Sequence, residues 1–353
     1  MKRPSTIGSL ARLGVWVLAG TGFTGPSPAQ EALPPTRPPL TPAYVTVSAS
    51  TAEWPRKSEG DVIELKDGRL LLVSMEFGGN GSDEARTRLV AHESSDGGQT
   101  WGRHRLLTET APGDLNVYSP NLIAAADGGI LLLFHRNHGK GPDRDSVLTL
   151  HAWKSRDDGA SFVPFSEFGV RSDYSLCNAT VKRLASRRLL LPASTAIPGS
   201  QTPGGAFAAT VLRSDDDGRT WQEAARRLHL PKRGAMEPHV EQAGDGRVVM
   251  VLRNQLGSLH LSESTDDGVT WSDPKPIGLP APESCPELTR IPATGDLLLI
   301  WNHTFDPNFR SHFGKRSPLT TAVSRDHGRT WEYVRNLETD PNRAFSNPGC
   351  RFT

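Results

Sequence analysis

Glu237 and Arg253 are the residues whose types and spacing most directly suggest chemistry. They lie sixteen residues apart, at the two ends of the stretch EPHVEQAGDGRVVMVLR. The Gly-Asp-Gly turn between β-prone flanks predicts a hairpin, which brings the two ends of the stretch together. A carboxylate able to take or give a proton would then lie beside a guanidinium, whose forked, permanently charged donors bind anions.

The hairpin that joins these two residues is one of five similar apolar runs, each interrupted by a tight turn. Each of the five carries Asp-Gly, Ser-Arg or Gly-Asp turn residues between its β-prone flanks. The five runs are Val62–Val73, Leu122–Phe134, Val181–Leu191, Val240–Leu252 and Leu288–Trp301.

A second motif, Ser-x-Asp-x-Gly-x-Thr/Ser-Trp/Phe, follows each hairpin and is called the Asp box below. Successive copies start 61, 59, 50 and 60 residues apart, which is the mark of a repeat architecture. The Ser and Asp side chains can accept backbone hydrogen bonds within their own turn, and the aromatic residue can anchor the sheet packing. We therefore expect a structural role for the box aspartates. They are Asp96, Asp157, Asp216, Asp266 and Asp326.

The two motifs together predict an all-β propeller. Each unit contains a hairpin, a third strand that leads into the box and a fourth strand that follows it, which describes a four-stranded blade. Five such blades span about residues 55 to 335, and Ser346–Thr353 resembles the start of another inner strand. We expect a six-bladed propeller whose last blade is incomplete, as in a C-terminally truncated chain, with Tyr44–Ala49 able to supply a closing strand. A complete five-bladed ring is the alternative.

Composition excludes some classes of function. Forty basic and 39 acidic residues give a formal net charge of +1, without the basic block that nucleic-acid binding requires. The three cysteines, Cys177, Cys285 and Cys350, are far apart in sequence, and histidines such as His239 show no metal-binding spacing. The sequence therefore predicts no disulfide framework, no metal site and no cofactor.

The N-terminus has the composition of an export signal. Lys2, Arg3 and Arg12 precede the apolar stretch Leu13–Phe23, and small residues follow up to about residue 30. This pattern predicts a signal peptide over residues 1–30, a Pro-rich linker over 31–42 and the propeller over 43–353, with a secreted or periplasmic location. A disordered tail is the alternative.

The boxes and the Glu237–Arg253 spacing resemble the sialidase (neuraminidase) superfamily, and the resemblance covers about residues 50–350. It implies that Glu237 is catalytic and that Arg253 belongs to a triad that binds the substrate carboxylate. The position before the fifth box implies Arg316 as the third arginine, with Arg310 as a competitor. Arg56, in PRKSEGD, is the best candidate for the first arginine.

The resemblance also implies a general acid and a nucleophile. Asp83, in the polar loop GGNGSDEARTRL eleven residues before the first box, matches the general acid/base, with Glu84 as an alternative. Sialidases use a tyrosine nucleophile, but the corresponding position here holds Phe345, which has no oxygen. Glu237 would then activate water or attack directly.

These residues predict an exported sialidase-like glycoside hydrolase. Its partner would be a glycan that ends in a carboxylate-bearing sugar of the sialic acid type. Two alternatives remain open: a carbohydrate- or protein-binding propeller without catalysis, and a glycosidase or lyase for another acidic sugar such as a uronate.

Overall fold

The computed structural model describes residues 13–16, 44–140, 146–308 and 315–352, and within them it contains strands and no helix. Among these residues there is accordingly no apolar helix long enough to cross a bilayer. The predicted linker and most of the predicted signal peptide lie outside the described residues.

Five antiparallel sheets follow one another along the chain, and each is one blade of a propeller. The strands in chain order are β1 (Leu13–Trp16); β2 (Arg56–Glu64), β3 (Leu70–Phe77), β4 (Thr87–Ser94) and β5 (Gly102–Glu109) in blade 1; β6 (Asn116–Ala124), β7 (Ile130–Asn137), β8 (Leu148–Ser155) and β9 (Val163–Ser172) in blade 2; β10 (Tyr174–Ser175), β11 (Lys182–Arg183), β12 (Leu189–Ala196), β13 (Phe207–Ser214) and β14 (Gln222–Glu223) in blade 3; β15 (Met236–Gln242), β16 (Val248–Arg253), β17 (Ser258–Ser264) and β18 (Lys275–Pro280) in blade 4; β19 (Glu287–Arg290), β20 (Leu297–Asn302), β21 (Leu319–Ser324) and β22 (Glu332–Glu338) in blade 5; and β23 (Gly349–Phe352).

Strand order within each sheet follows chain order, which confirms the predicted blade of a hairpin, a strand into the box and a strand after it. Blade 3 departs from the pattern because its inner strand is split into β10 and β11, which both pair with β12. The second strand of a blade is buried on both faces, so it has a nearly continuous apolar sequence, as in LLLVSMEF of β3.

The hydrophobic core lies between neighbouring blades. One cluster joins Leu71 and Met75 of blade 1 to Leu122 and Phe134 of blade 2, and similar clusters join each later pair of blades up to blade 5. Each blade therefore buries its apolar faces only when the next blade is in place.

The Asp boxes close the turn after the third strand of each blade by local hydrogen bonds. In the first box, Asp96 Oδ1 accepts the N–H of Thr100 at 2.9 Å and the hydroxyl of Ser94 at 2.8 Å, while Asp96 Oδ2 accepts the Thr100 hydroxyl at 2.6 Å. The Thr or Ser side chain and the Ser hydroxyl make the same contacts in the other four boxes. The hydrogen bonds from Thr100 lower the pKa of Asp96 to about 2, as expected for a structural carboxylate.

The glycine of each later box lies against the preceding blade. A Cβ on Gly159 would lie 2.7 Å from Leu71 Cδ2, and one on Gly268 would lie 2.9 Å from Leu190 Cδ2. Both glycines also have positive φ values, 82° and 81°, which only glycine adopts without strain. The box is thus both a turn and a contact between blades.

The strand after blade 5 lies between the first strands of blades 5 and 1. β23 contacts β2 and β19 and pairs antiparallel with β1, so that Trp16 faces Gly349 in the register. The expectation of a strand at Tyr44–Ala49 is wrong: this segment is irregular and Tyr44 is exposed, although Val47 packs against Val62, Leu70 and Leu72 of blade 1. A sixth blade and its incompleteness remain predictions, as does the signal peptide in which β1 lies.

The first strands of three blades carry a bulge at matching positions. The pairing register shifts at Glu59 in β2, at Ser119 in β6 and at Glu237 in β15. All three residues have positive φ values, of 49°, 57° and 39°, which is strained for residues other than glycine. Such bulges redirect side chains, and here they do so in the N-terminal halves of the first strands of these blades.

Candidate functional site

Glu237 and Arg253 form an ion pair, as the hairpin predicts. Arg253 Nη1 donates to Glu237 Oε2 at 2.7 Å, and Met236 faces Arg253 in the register of β15 and β16. The strained backbone of Glu237 is held from blade 3, because its N–H donates to Ser194 Oγ at 2.8 Å. The Glu237 side chain remains 29 % exposed, while that of Arg253 is 10 % exposed. The carboxylate therefore faces the open side of the pair.

A second carboxylate, that of Glu283, lies behind Arg253. Its Oε1 lies 3.6 Å from Arg253 Nη2, and it also pairs with Arg233. Gln255 Nε2 donates to the other oxygen at 2.7 Å. Although burial disfavours the charged guanidinium, Glu237 and Glu283 together raise the pKa of Arg253. Glu283 is a site residue that sequence reasoning missed, because it comes from the loop before blade 5.

Arg56 and Asp83 form the opposite part of the site, in blade 1. Arg56 Nη1 lies 2.5 Å from Asp83 Oδ1, and Tyr118 of blade 2 donates its hydroxyl to the same oxygen at 3.1 Å. Burial acts against the ionised carboxyl, but attraction to Arg56 and the hydrogen bonds from Arg56 and Tyr118 lower the pKa of Asp83 overall. The Asp83 side chain is 56 % exposed, so a ligand can reach it.

Glu59 is a buried carboxyl beside Arg56 that sequence reasoning also missed. Its Oε1 lies 3.8 Å from Arg56 Nη2, and its Oε2 accepts the Ser119 hydroxyl at 3.1 Å. Burial is the largest cause that raises the pKa of Glu59 to about 7, and the negative charges of Asp83 and Glu237 add to it. The type and position of Glu59 in PRKSEGD gave no signal beyond an ordinary charged loop residue.

Arg316, in the segment before β21, acts electrostatically on both halves of the site. Its positive charge contributes to lowering the pKa of both Asp83 and Glu237, so it lies within electrostatic range of each. Burial and the neighbouring charge of Arg253 lower the pKa of Arg316 itself. Its Nε is buried and has no hydrogen-bond partner among the described residues. Arg310, the competing candidate, lies outside the described residues.

Phe345 is buried in an apolar cluster with Leu298, Ile300 and Leu319. Its backbone N–H donates to the carbonyl oxygen of Arg316 at 2.9 Å, and its own carbonyl accepts from Asn302 at 3.1 Å. The backbone of Phe345 therefore lies beside that of Arg316. Its side chain packs in the apolar cluster and offers no nucleophile.

Two groups of described residues bring metal-ligating side chains together. One contains Glu76, His92 and His104, and Glu76 there already pairs with the cations Lys57 and Arg88. The other contains Cys177, His239 and Cys285, all buried and drawn from three different blades. Local spacing gave no sign of either group, because the ligands are far apart in sequence.

Comparison with known proteins connects this arrangement to one family. The model of the BNR repeat-like domain matches residues 114–350. A curated sialidase of Micromonospora viridifaciens is 26% identical over 285 residues, which are 69% of this chain and 40% of the relative. The chain thus spans less than half the length of that relative.

Solved structures share the fold. A Dyadobacter fermentans protein of unknown function has a TM-score of 0.65 at 20% identity, over 83% of this chain and 86% of its own. A Streptococcus pneumoniae sialidase has a TM-score of 0.65 at 13% identity, over 88% and 65%. The Trypanosoma rangeli sialidase, solved with sialic acid, has a TM-score of 0.60 at 14% identity, over 86% and 51%.

Proposed function

Because the chain belongs to the BNR repeat-like family, within the sialidase superfamily, we propose that it is a glycoside hydrolase for a terminal sugar that bears a carboxylate. A sugar of the sialic acid type is the proposed substrate, and glycoconjugates are its proposed source. In this proposal Arg56, Arg253 and Arg316 bind the carboxylate, Asp83 is the acid and Glu237 is the base.

The guanidinium of Arg316, for which no ion pair is found within the described part of the chain, carries the proposal. It lies close to the like charge of Arg253, and its buried Nε lacks a partner among the described residues. Buried charges are normally paired, because an unpaired one loses hydration without compensation. An anionic ligand between the arginines supplies the missing partner, and a planar carboxylate matches their forked donors.

Binding of that carboxylate would also prepare Asp83 as an acid. In the free protein the charge of Arg56 keeps the pKa of Asp83 low, so the carboxyl is ionised at neutral pH. A substrate carboxylate that shares Arg56 weakens this attraction and raises the pKa of Asp83 toward the range of a general acid. Asp83 then gives its proton to the leaving-group oxygen as the glycosidic bond breaks.

Glu237 has the second role in this reaction, that of the general base. As the base, it takes a proton from water while the water oxygen forms the new bond to the anomeric carbon, so that one water is consumed for each glycosidic bond cleaved. This route needs no tyrosine, and direct attack by water inverts the anomeric configuration. Nuclear magnetic resonance of the first product formed distinguishes it from a route with a covalent intermediate, which retains the configuration.

A fluorogenic α-sialoside assay on the purified protein tests the proposal. Asp83→Asn should abolish turnover, whereas Glu84→Gln changes the adjacent exposed carboxyl and should not. Arg316→Ala should lower kcat/KM by about 10- to 100-fold, because a charged hydrogen bond contributes roughly 1.5–3 kcal/mol. Arg290→Ala, an exposed arginine at the end of β19, is the matched control.

The burial of Phe345 favours a second candidate, a propeller that binds an acidic sugar without cleaving it. Calorimetry with free sialic acid and with glucuronate separates the candidates. Binding that Arg316→Ala removes, without turnover of sialoside or glucuronide, supports the second candidate. Turnover of the glucuronide alone assigns a uronate substrate. The absence of both binding and turnover contradicts all three proposals: the sialoside hydrolase, the sugar-binding propeller and the enzyme for a uronate.

We also propose that the protein is exported by a signal peptide over residues 1–30, giving a secreted or periplasmic protein. The basic start and the apolar stretch that follows support this proposal. Mass spectrometry of the protein from its native cells should find a mature N-terminus near residue 30, and an intact N-terminus would contradict export by this route.

A further inference from the structure

Three side chains from three blades meet in the interior near Glu237. Cys177 precedes β11 in blade 3, His239 lies on β15 in blade 4, and Cys285 precedes β19 in blade 5. The two sulfurs are 3.1 Å apart, and Cys285 Sγ lies 3.2 Å from His239 Nε2. The exposed fractions of the three residues are 5%, 0% and 1%.

We propose that Cys177, His239 and Cys285 form a binding site for a thiophilic metal ion, with Zn²⁺ as the expected occupant. Two thiolates and one imidazole are a ligand set that zinc takes in proteins, with a fourth position left for water or another ligand. Tetrahedral zinc at about 2.3 Å from each sulfur needs a sulfur–sulfur distance of roughly 3.8 Å. The observed separation therefore needs to open by only a few tenths of an ångström at each cysteine.

Glu287 supplies the support that a metal-bound histidine requires. Its Oε2 lies 3.0 Å from His239 Nδ1, on the side of the ring away from the sulfurs. Apart from this contact, neither carboxylate oxygen of Glu287 has a hydrogen-bond partner among the described residues. A carboxylate on one ring nitrogen keeps the proton there and leaves the other nitrogen, Nε2, free to bind the metal.

Charge balance at the cluster is compatible with a dication. Glu287 is buried, and besides His239 it has Lys182 Nζ at 3.8 Å, which is shared with Glu241 at 3.4 Å. A dication that converts the two thiols to thiolates leaves the metal and its sulfurs neutral, without a further uncompensated charge in the interior. The same ion would join segments at or just before the inner strands of blades 3, 4 and 5, with His239 two residues along β15 from the strained backbone of Glu237.

Metal analysis of the full chain, purified with its N-terminus intact and with zinc in the growth medium, tests the site. We expect about one zinc ion per chain, because the cluster provides one set of ligands. Cys350→Ser, which removes a buried cysteine outside the cluster, should keep the zinc. Cys285→Ser should lose it, and Glu287→Gln should weaken the affinity by about 10- to 100-fold. Cobalt(II) in place of zinc should give a thiolate-to-cobalt charge-transfer band.

Thiol alkylation identifies the outcomes that overturn the proposal, and it needs no variant. In denaturant with chelator and without reductant, all three cysteines should react, because the metal-bound thiols are reduced. One reactive cysteine means that Cys177 and Cys285 are joined in a disulfide. Three reactive cysteines with no zinc in the purified protein mean that the cluster is a buried thiol pair. Either result rejects the site, even if Cys285→Ser does not fold.

Discussion

Glu59 is a buried carboxyl whose protonation should affect stability near neutral pH. The folded protein raises its pKa from 4.5 to about 7, so the folded state holds this proton more tightly than the unfolded chain. The stabilisation is complete below about pH 4.5 and is lost as the pH rises through about 7. The change in pKa corresponds to roughly 3 kcal/mol.

Glu59→Gln keeps the neutral form at every pH and should therefore remove this loss. Chemical unfolding between pH 4.5 and 7 should show the free energy of unfolding of the variant rising relative to wild type by about 3 kcal/mol. Glu64→Gln, at the exposed end of the same strand, should follow the wild-type curve. Parallel curves for Glu59→Gln and wild type would show that Glu59 is already ionised at the lower pH.

At the residue scale, the sequence predicted contacts that are local and missed those that cross between blades. The Glu237–Arg253 pair was predictable because a single hairpin joins the two residues. Glu283 was not, because it reaches Arg253 from the loop before the next blade. The Cys177 and Cys285 contact joins residues 108 positions apart, and no local pattern encodes it.

The box glycines connect one blade to the next, and their substitution tests that contact. Gly159→Ala adds a Cβ 2.7 Å from Leu71 Cδ2 to a backbone with a φ of 82°. Gly68→Ala is the control: its backbone has the same φ of 82°, but its new Cβ would have no other atom within 4 Å. The difference in their free energies of unfolding isolates the packing conflict, which we expect to destabilise Gly159→Ala by about 1–3 kcal/mol more.

Thermal and denaturant unfolding of the two glycine variants measure this difference. Both should lose about 1–2 kcal/mol to the left-handed backbone alone. Equal losses would mean that Leu71 moves aside without penalty and that the box acts only as a turn.

At the element scale, periodicity predicted the strands, but it did not predict their interruptions. The apolar runs and turn residues placed each hairpin correctly. The split of the inner strand of blade 3 was not foreseen, since it depends on pairing and backbone geometry around Ala179, whose φ is 59°. Tyr44–Ala49 alternates like a strand and buries part of Val47 against blade 1, yet it forms no strand, so alternation alone was misleading.

Arg351 holds β23 to the first two blades. Its Nη2 lies 3.1 Å from Asp61 Oδ2 and donates to the carbonyl of Leu122 at 3.1 Å, while its Nε donates to the carbonyl of Val62 at 3.0 Å. The Asp61 side chain is only 1 % exposed. Arg351→Ala should therefore destabilise the protein by about 3–5 kcal/mol, because it leaves a buried charge without its partner.

Unfolding and limited proteolysis measure the effect of Arg351→Ala, and cleavage should accelerate between β22 and β23 if β23 is released. Arg325→Ala removes an exposed ion pair with Glu332 at 3.3 Å and should change stability by less than about 1 kcal/mol. Equal effects of the two substitutions would refute the role of Arg351 in closure.

At the scale of the whole molecule, the repeat period was enough to predict the propeller. Five boxes in step with five hairpins correspond to the five blades that the structure contains. The pairing of β23 with β1 was not predictable, because it joins the two extremes of the sequence.

The placement of the box glycines gives the ring a direction. Gly159, Gly218 and Gly268 each lie against a leucine of the blade that precedes them in the chain, never of the one that follows. Each junction between two blades therefore has two different sides. The earlier blade contributes a leucine side chain, and the later blade contributes the turn of its Asp box. A blade taken from a relative would supply the box turn at one junction and the leucine at the other. Both of these contacts must fit their new neighbours before the exchanged blade is tolerated.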